Sequence, residues 1–168
     1  SGLEYYKVTY KGQFLTGLYG PLTLKLRADL GYGDSYGDTS TMPFFKNFYG
    51  GGFGSVRGFE KNTLGPRDTP QVANERYYDD PDPIGGNVQV EMGAEIIFPL
   101  PFLKDQRSVQ SSIFFDIGNI FNTKCGKIQV NCFEPDVKEL RYSVGIGATW
   151  LSGFGPITFS LAKPLNSN

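Results

Sequence analysis

Two carboxylates, one arginine, two cysteines and a run of glycines are the residues of this 168-residue chain with the types and spacing for chemistry. Glu95 and Asp116 are paired acidic side chains of the kind glycoside hydrolysis uses, but no substrate groove accompanies them in the sequence. Cys125 and Cys132 lie seven apart. In an oxidising compartment such a pair closes a short disulfide loop; the alternative is two reduced thiols that never meet. Two cysteines cannot by themselves build a four-ligand zinc site. The chain has no histidine, which excludes His-based triads and His-ligated metals. Gly50-Gly51-Gly52-Phe53-Gly54 runs into Ser55-Val56-Arg57-Gly58-Phe59. No Lys-Ser or Lys-Thr follows the glycines, so a phosphate-binding loop is not indicated. No catalytic residue, cofactor or metal is assigned on this reading.

The elements that must position these residues are strands. The chain holds 22 glycines and 15% aromatic residues. Interior glycine costs a helix about 1 kcal/mol against alanine, and disordered chains are poor in Phe and Tyr. An all-β protein rich in turns follows. Sixteen basic and 17 acidic residues give a net charge of −1, which argues against nucleic acid as the main partner and supplies no polybasic membrane anchor. No run approaches the roughly 18 apolar residues of a spanning helix. Membrane barrels escape that test, because only every second residue meets lipid.

Period-two alternation marks six strands, near Tyr6–Phe14, Leu22–Tyr32, Asn87–Phe98, Ser108–Phe121, Leu140–Thr149 and Ile157–Leu161. In the third, Val88, Val90, Met92, Ala94, Ile96 and Phe98 oppose Asn87, Gln89, Glu91, Gly93 and Glu95. In the fourth, Asp116 falls on the polar side and Phe114 spoils it. Strands of about 9–11 residues are those that span membranes. Connections alternate between short ones and two long loops, 34–86 and 122–139, as in outer-membrane barrels. Aromatics gather near strand ends, among them Tyr19, Tyr32, Phe98, Phe102, Trp150 and Phe154. A soluble sandwich also alternates, but a loop of about 50 residues is unusual in one.

Val56-Arg57-Gly58-Phe59, preceded by Phe44-Phe45-Lys46-Asn47-Phe48-Tyr49-Gly50-Gly51, resembles the loop signature of the superfamily of 85-kDa outer-membrane proteins, in its assembly-factor branch. Similar stretches follow in the family's order: Asn62-Thr63-Leu64-Gly65-Pro66, Gly85-Gly86-Asn87, Glu95-Ile96-Ile97-Phe98-Pro99, Phe114-Phe115-Asp116-Ile117-Gly118-Asn119, Ser143-Val144-Gly145-Ile146-Gly147, and Gly155-Pro156-Ile157 through Pro164. The resemblance implies an antiparallel transmembrane β-barrel of sixteen strands, of which these are strands ten to fifteen, with one long inward-folded loop. It implies that Arg57 pairs with Glu95 and Asp116; the plainer alternative is a solvated Arg57 above a wet wall. Phe44, Phe45, Phe48 and Tyr49 are expected to plug the loop into the lumen rather than to bind a partner.

Residues 1–168 are expected to be a partial C-terminal barrel domain, without the POTRA domains and the last strand that the family carries. The implied function is the folding and insertion of β-barrel proteins into the bacterial outer membrane, without enzymatic chemistry. The implied partners are outer-membrane lipid, unfolded outer-membrane proteins, and the accessory lipoproteins of the assembly complex, reached mainly through POTRA domains. A two-partner secretion transporter shares the motif, and a porin-like pore lacks it. Open strand edges would let the six strands self-associate. On a cell-surface loop, Cys125 and Cys132 are expected to be joined.

Overall fold

In the computed structural model the described residues are 2–68, 81–100, 108–126 and 132–166. Six strands form one antiparallel sheet in sequence order: β1 (Tyr5–Gly17), β2 (Thr23–Ser35), β3 (Val88–Pro99), β4 (Val109–Phe121), β5 (Arg141–Ser152) and β6 (Gly155–Pro164). β1, β2, β5 and β6 run further than their alternation alone marks, whereas β3 and β4 each begin one residue later than it marks. β1 and β2 hold 13 residues each. At about 3.4 Å per residue such a strand is roughly 40 Å long, enough to cross a bilayer at a tilt.

The two turns that are fully described are tight. Leu18 N–H donates to the Leu22 carbonyl at 2.9 Å, with Gly20 at φ +57° between them. β5 passes to β6 through Gly153 and Phe154, where the Ser152 hydroxyl donates to the Gly155 carbonyl. Phe102, one of the expected interface aromatics, lies outside the described residues.

The sheet has two unlike faces. One carries apolar side chains with nothing over them: Val8, Tyr10, Phe14, Ile113, Ile146, Phe159 and Leu161 are all more than half exposed. A soluble sandwich would cover this face with a second sheet. The other face is polar and receives the long loop between β2 and β3. The only hydrophobic cluster among the described residues lies there, between loop and sheet: Phe48, Val56, Leu64 and Ile120, with Phe59 packed against it. Isolated bridges Phe48–Gly86 and Gly50–Leu64 fold the loop on itself. Among the described residues β1 pairs only with β2 and β6 only with β5, so the sheet does not close.

Candidate functional site

Strand register sets the charges of the polar wall in rows. One row reads Lys11–Asp29–Glu91, the next Gln13–Arg27–Gly93–Asp116–Ser143, and the next Leu15–Lys25–Glu95–Phe114–Gly145. Glu95 and Asp116 are therefore diagonal neighbours rather than direct cross-strand partners, because Asp116 faces Gly93 and Glu95 faces Phe114. Gly93 is what lets Asp116 turn toward β2. A Cβ on Gly93 would sit 2.7 Å from Asp116 Oδ1.

Arg57 descends onto this corner. Its Nε donates to Asp116 Oδ2 at 2.7 Å and its Nη2 to Oδ1 at 3.0 Å. Its own backbone N–H donates to Oδ2 at 3.1 Å. Nη1 reaches Glu95 Oε2 at 3.3 Å. Two parallel bonds from a fork to a carboxylate fix orientation as well as charge. The guanidinium carbon lies 3.4 Å from the centre of the Phe114 ring, a cation–π contact. Phe114, which breaks the polar alternation of β4, is thus the floor of the arginine site. Its ring has room because Gly145 faces it; a Cβ there would collide with Phe114 Cζ.

Asp116 is fully buried and Arg57 partly so, with 15% of its side chain exposed. Burial by itself would lower the Arg57 pKa; the bonds and charge of Asp116, with those of Glu95, outweigh it and raise the pKa. The guanidinium is charged at every pH at which the protein works.

The rest of the motif is seated beside it. Val56 is fully buried in the loop core, and Phe59 packs against that core. Gly58 has φ +98° and lies against Ser143 and Ala162, where a Cβ would come 3.2 Å from each Cβ. The Ser143 hydroxyl under it is buried with no hydrogen-bond partner.

A second fastening holds the tip of the loop, and sequence reasoning did not identify it. Arg27 donates from Nη1 to the Gly54 carbonyl at 2.7 Å and from Nη2 to the Ser55 carbonyl. The Ser55 hydroxyl donates to Glu91 Oε1 at 2.6 Å and accepts from Gly51 N–H at 2.7 Å. Glu91 is 2% exposed. The signal was present: Arg27 and Glu91 both stand on the polar side of their strands, and Ser55 adjoins the motif.

The loop aromatics divide. Phe48 is buried under the Lys7 ammonium, 3.8 Å from its ring centre. Phe44 and Phe45 stack edge to face and remain exposed, so the expected plug holds for Phe48 and not for them. On the second long loop Cys125 and Cys132 form a disulfide. Next to it, Lys124 bonds Asp34 at 2.6 Å, and the Asn87 amide nitrogen donates to Gly33 O and Thr123 Oγ1. These contacts tie the disulfide loop to the base of the long loop.

A sheet with a bare apolar face, a charged inner wall and an arginine-fastened loop folded onto that wall defines a segment of an outer-membrane β-barrel. The chain belongs to the Omp85 superfamily, whose domain matches residues 1–168. It is 40% identical to the outer membrane protein assembly factor BamA of Neisseria meningitidis serogroup B, over 98% of this chain and 22% of that protein. It is 30% identical to BamA of Nitratidesulfovibrio vulgaris, over 74% of this chain and 13% of that one. The chain thus spans about a fifth or less of the length of these relatives. Among solved structures it is similar to BamA from Haemophilus ducreyi lacking POTRA domains 1–3, with a TM-score of 0.81 and 29% identity over 98% of this chain and 32% of that one. The protein is an outer-membrane protein of Gram-negative bacteria.

Proposed function

We propose that residues 1–168 form strands ten to fifteen in the C-terminal part of a sixteen-stranded barrel, and that the whole protein folds and inserts β-barrel proteins into the outer membrane. One observation carries the reading: an inward loop locked to the wall through Arg57, Asp116 and Glu95, in a chain 40% identical to an assembly factor over nearly all its length. The mechanism needs no catalytic residue. A barrel strand edge offers main-chain N–H and C=O groups to an incoming strand, as in β-augmentation. The fastened loop keeps this part of the wall rigid, which leaves deformation to other strands. Unfolded outer-membrane proteins are the substrates on this reading. Accessory lipoproteins are the partners, held mainly by POTRA domains.

Depletion of the full-length protein in its host tests this. Folded outer-membrane barrel proteins, scored by heat-modifiable gel migration, are expected to fall together, and Arg57→Ala is expected to give an intermediate loss. Normal barrel levels with a single exported protein retained would replace this reading with a secretion transporter. Normal levels with only a lost ion conductance would replace it with a pore.

A further inference from the structure

The bare outer face is not smooth. Toward the short-turn end, one lateral row reads Phe98–Ser111–Ala148–Phe159 across β3 to β6. Two small side chains stand between two phenylalanines. The row above it reads Ile96–Ile113–Ile146–Leu161. The result is a groove of about 600 Å³ with Ser111 and Ala148 on its floor and large apolar walls.

We propose that this groove seats one acyl chain of a phospholipid from the leaflet on the short-turn side, in preference to the lipid around it. The groove is continuous with the lipid-facing surface, and a hydrocarbon chain is what the bilayer presents there. A peptide segment fits poorly. Inside a bilayer its N–H and C=O groups need partners, and the strands flooring the groove already pair theirs with one another. No hydrophobic driving force favours the seat, because the surrounding lipid is equally apolar. The preference comes from contact: a chain in a concave seat touches atoms on several sides, and an unfilled seat forfeits those dispersion contacts. The short-turn side is the periplasmic side in outer-membrane barrels, so the chain belongs to the inner leaflet.

Trp150 reports on the site. It is half exposed on the same face, one row below the groove, between Val109 and Ile157. The full-length protein, with every tryptophan other than Trp150 replaced by phenylalanine, is reconstituted in phosphatidylethanolamine vesicles containing a fraction of lipid brominated on its chains. Quenching of Trp150 above that expected for random contact is predicted. Ala148→Phe fills the groove and is expected to reduce quenching to the random level. Val144→Phe, on the same face but outside the groove, is expected to leave it unchanged. If Ala148→Phe does not fold by heat-modifiable migration, Ser111→Leu fills the same floor. Native mass spectrometry of the unsubstituted protein is expected to retain one phospholipid that the filled variant loses. Random-level quenching in the unsubstituted protein, or equal quenching in all variants, overturns the seat and leaves the barrel reading standing. No quenching of Trp150 at all would overturn the membrane-facing assignment itself.

Discussion

Asp116 is the residue on which the loop depends most. Its carboxylate accepts three bonds from Arg57 and has no exposure to water. Removing one partner of a buried pair costs about 3 kcal/mol or more where the other charge is left alone; here Arg27 Nη2, 3.9 Å from Asp116 Oδ1, offsets part of that cost. Arg57→Ala is therefore expected to release the loop, with residues around Val56 and Leu64 losing protection in hydrogen exchange. Arg57→Lys keeps the charge but loses the fork, so it is expected to fall between Ala and the unsubstituted protein. The raised Arg57 pKa sets a sign as well. Its stabilisation is fully present below the ordinary arginine pKa and lost only above it, so no physiological pH change releases the loop through Arg57. Glu91 is a separate handle. Glu91→Ala deprives the Ser55 hydroxyl of its acceptor, at about 1–3 kcal/mol, whereas Glu91→Gln keeps an oxygen there. Hydrogen exchange at Ser55 is expected to rise for Ala and change little for Gln. Equal rises in both variants would mean that the charge, not the bond, holds the tip.

At the scale of elements, the strands were legible because one buried-or-lipid face imposes a period of two, and a one-residue slip would invert every side chain. Val88 to Phe98 displays that pattern with Ile97 alone out of place. The alternation also placed Glu95 and Asp116 on one face before any geometry was known. It could not show their diagonal relation, which depends on the β3–β4 register. Nor did it give Phe114 a meaning, since an aromatic on a polar face explains itself only when a guanidinium lies over it. The tip fastening was hidden for a similar reason: Arg27 and Ser55 are 28 residues apart in sequence and meet only through the loop's return. The disulfide was read from spacing and compartment. It closes a loop between residues seven apart, and in the chain-entropy account short loops gain about 2–3 kcal/mol. Mass measurement without reductant is expected to show the loss of two hydrogens. Reduction is expected to loosen 122–140 while leaving the Arg57 corner in place; full alkylation of the native protein would refute the bridge.

The whole sheet is an open surface on both edges. β1 and β6 each leave one row of N–H and C=O groups unpaired among the described residues. In lipid each unsatisfied group costs several kcal/mol, and in water such an edge templates pairing with another chain. The smallest common membrane barrels have eight strands, so six cannot close around the loop that already fills the inner face. The outer face adds exposed Tyr10, Phe14, Ile146 and Phe159, which need lipid, detergent or another protein surface. Residues 1–168 produced alone are therefore expected to associate, with copies joining edge to edge so that two supply an even number of strands. Light scattering in plain buffer is the measurement. Dimers or larger species that dissociate when β1 or β6 carries a proline at an unpaired N–H position would place the contact at the edges. A monodisperse monomer in plain buffer would instead mean that the apolar face is covered from within the chain, and the membrane-facing assignment would fall with it.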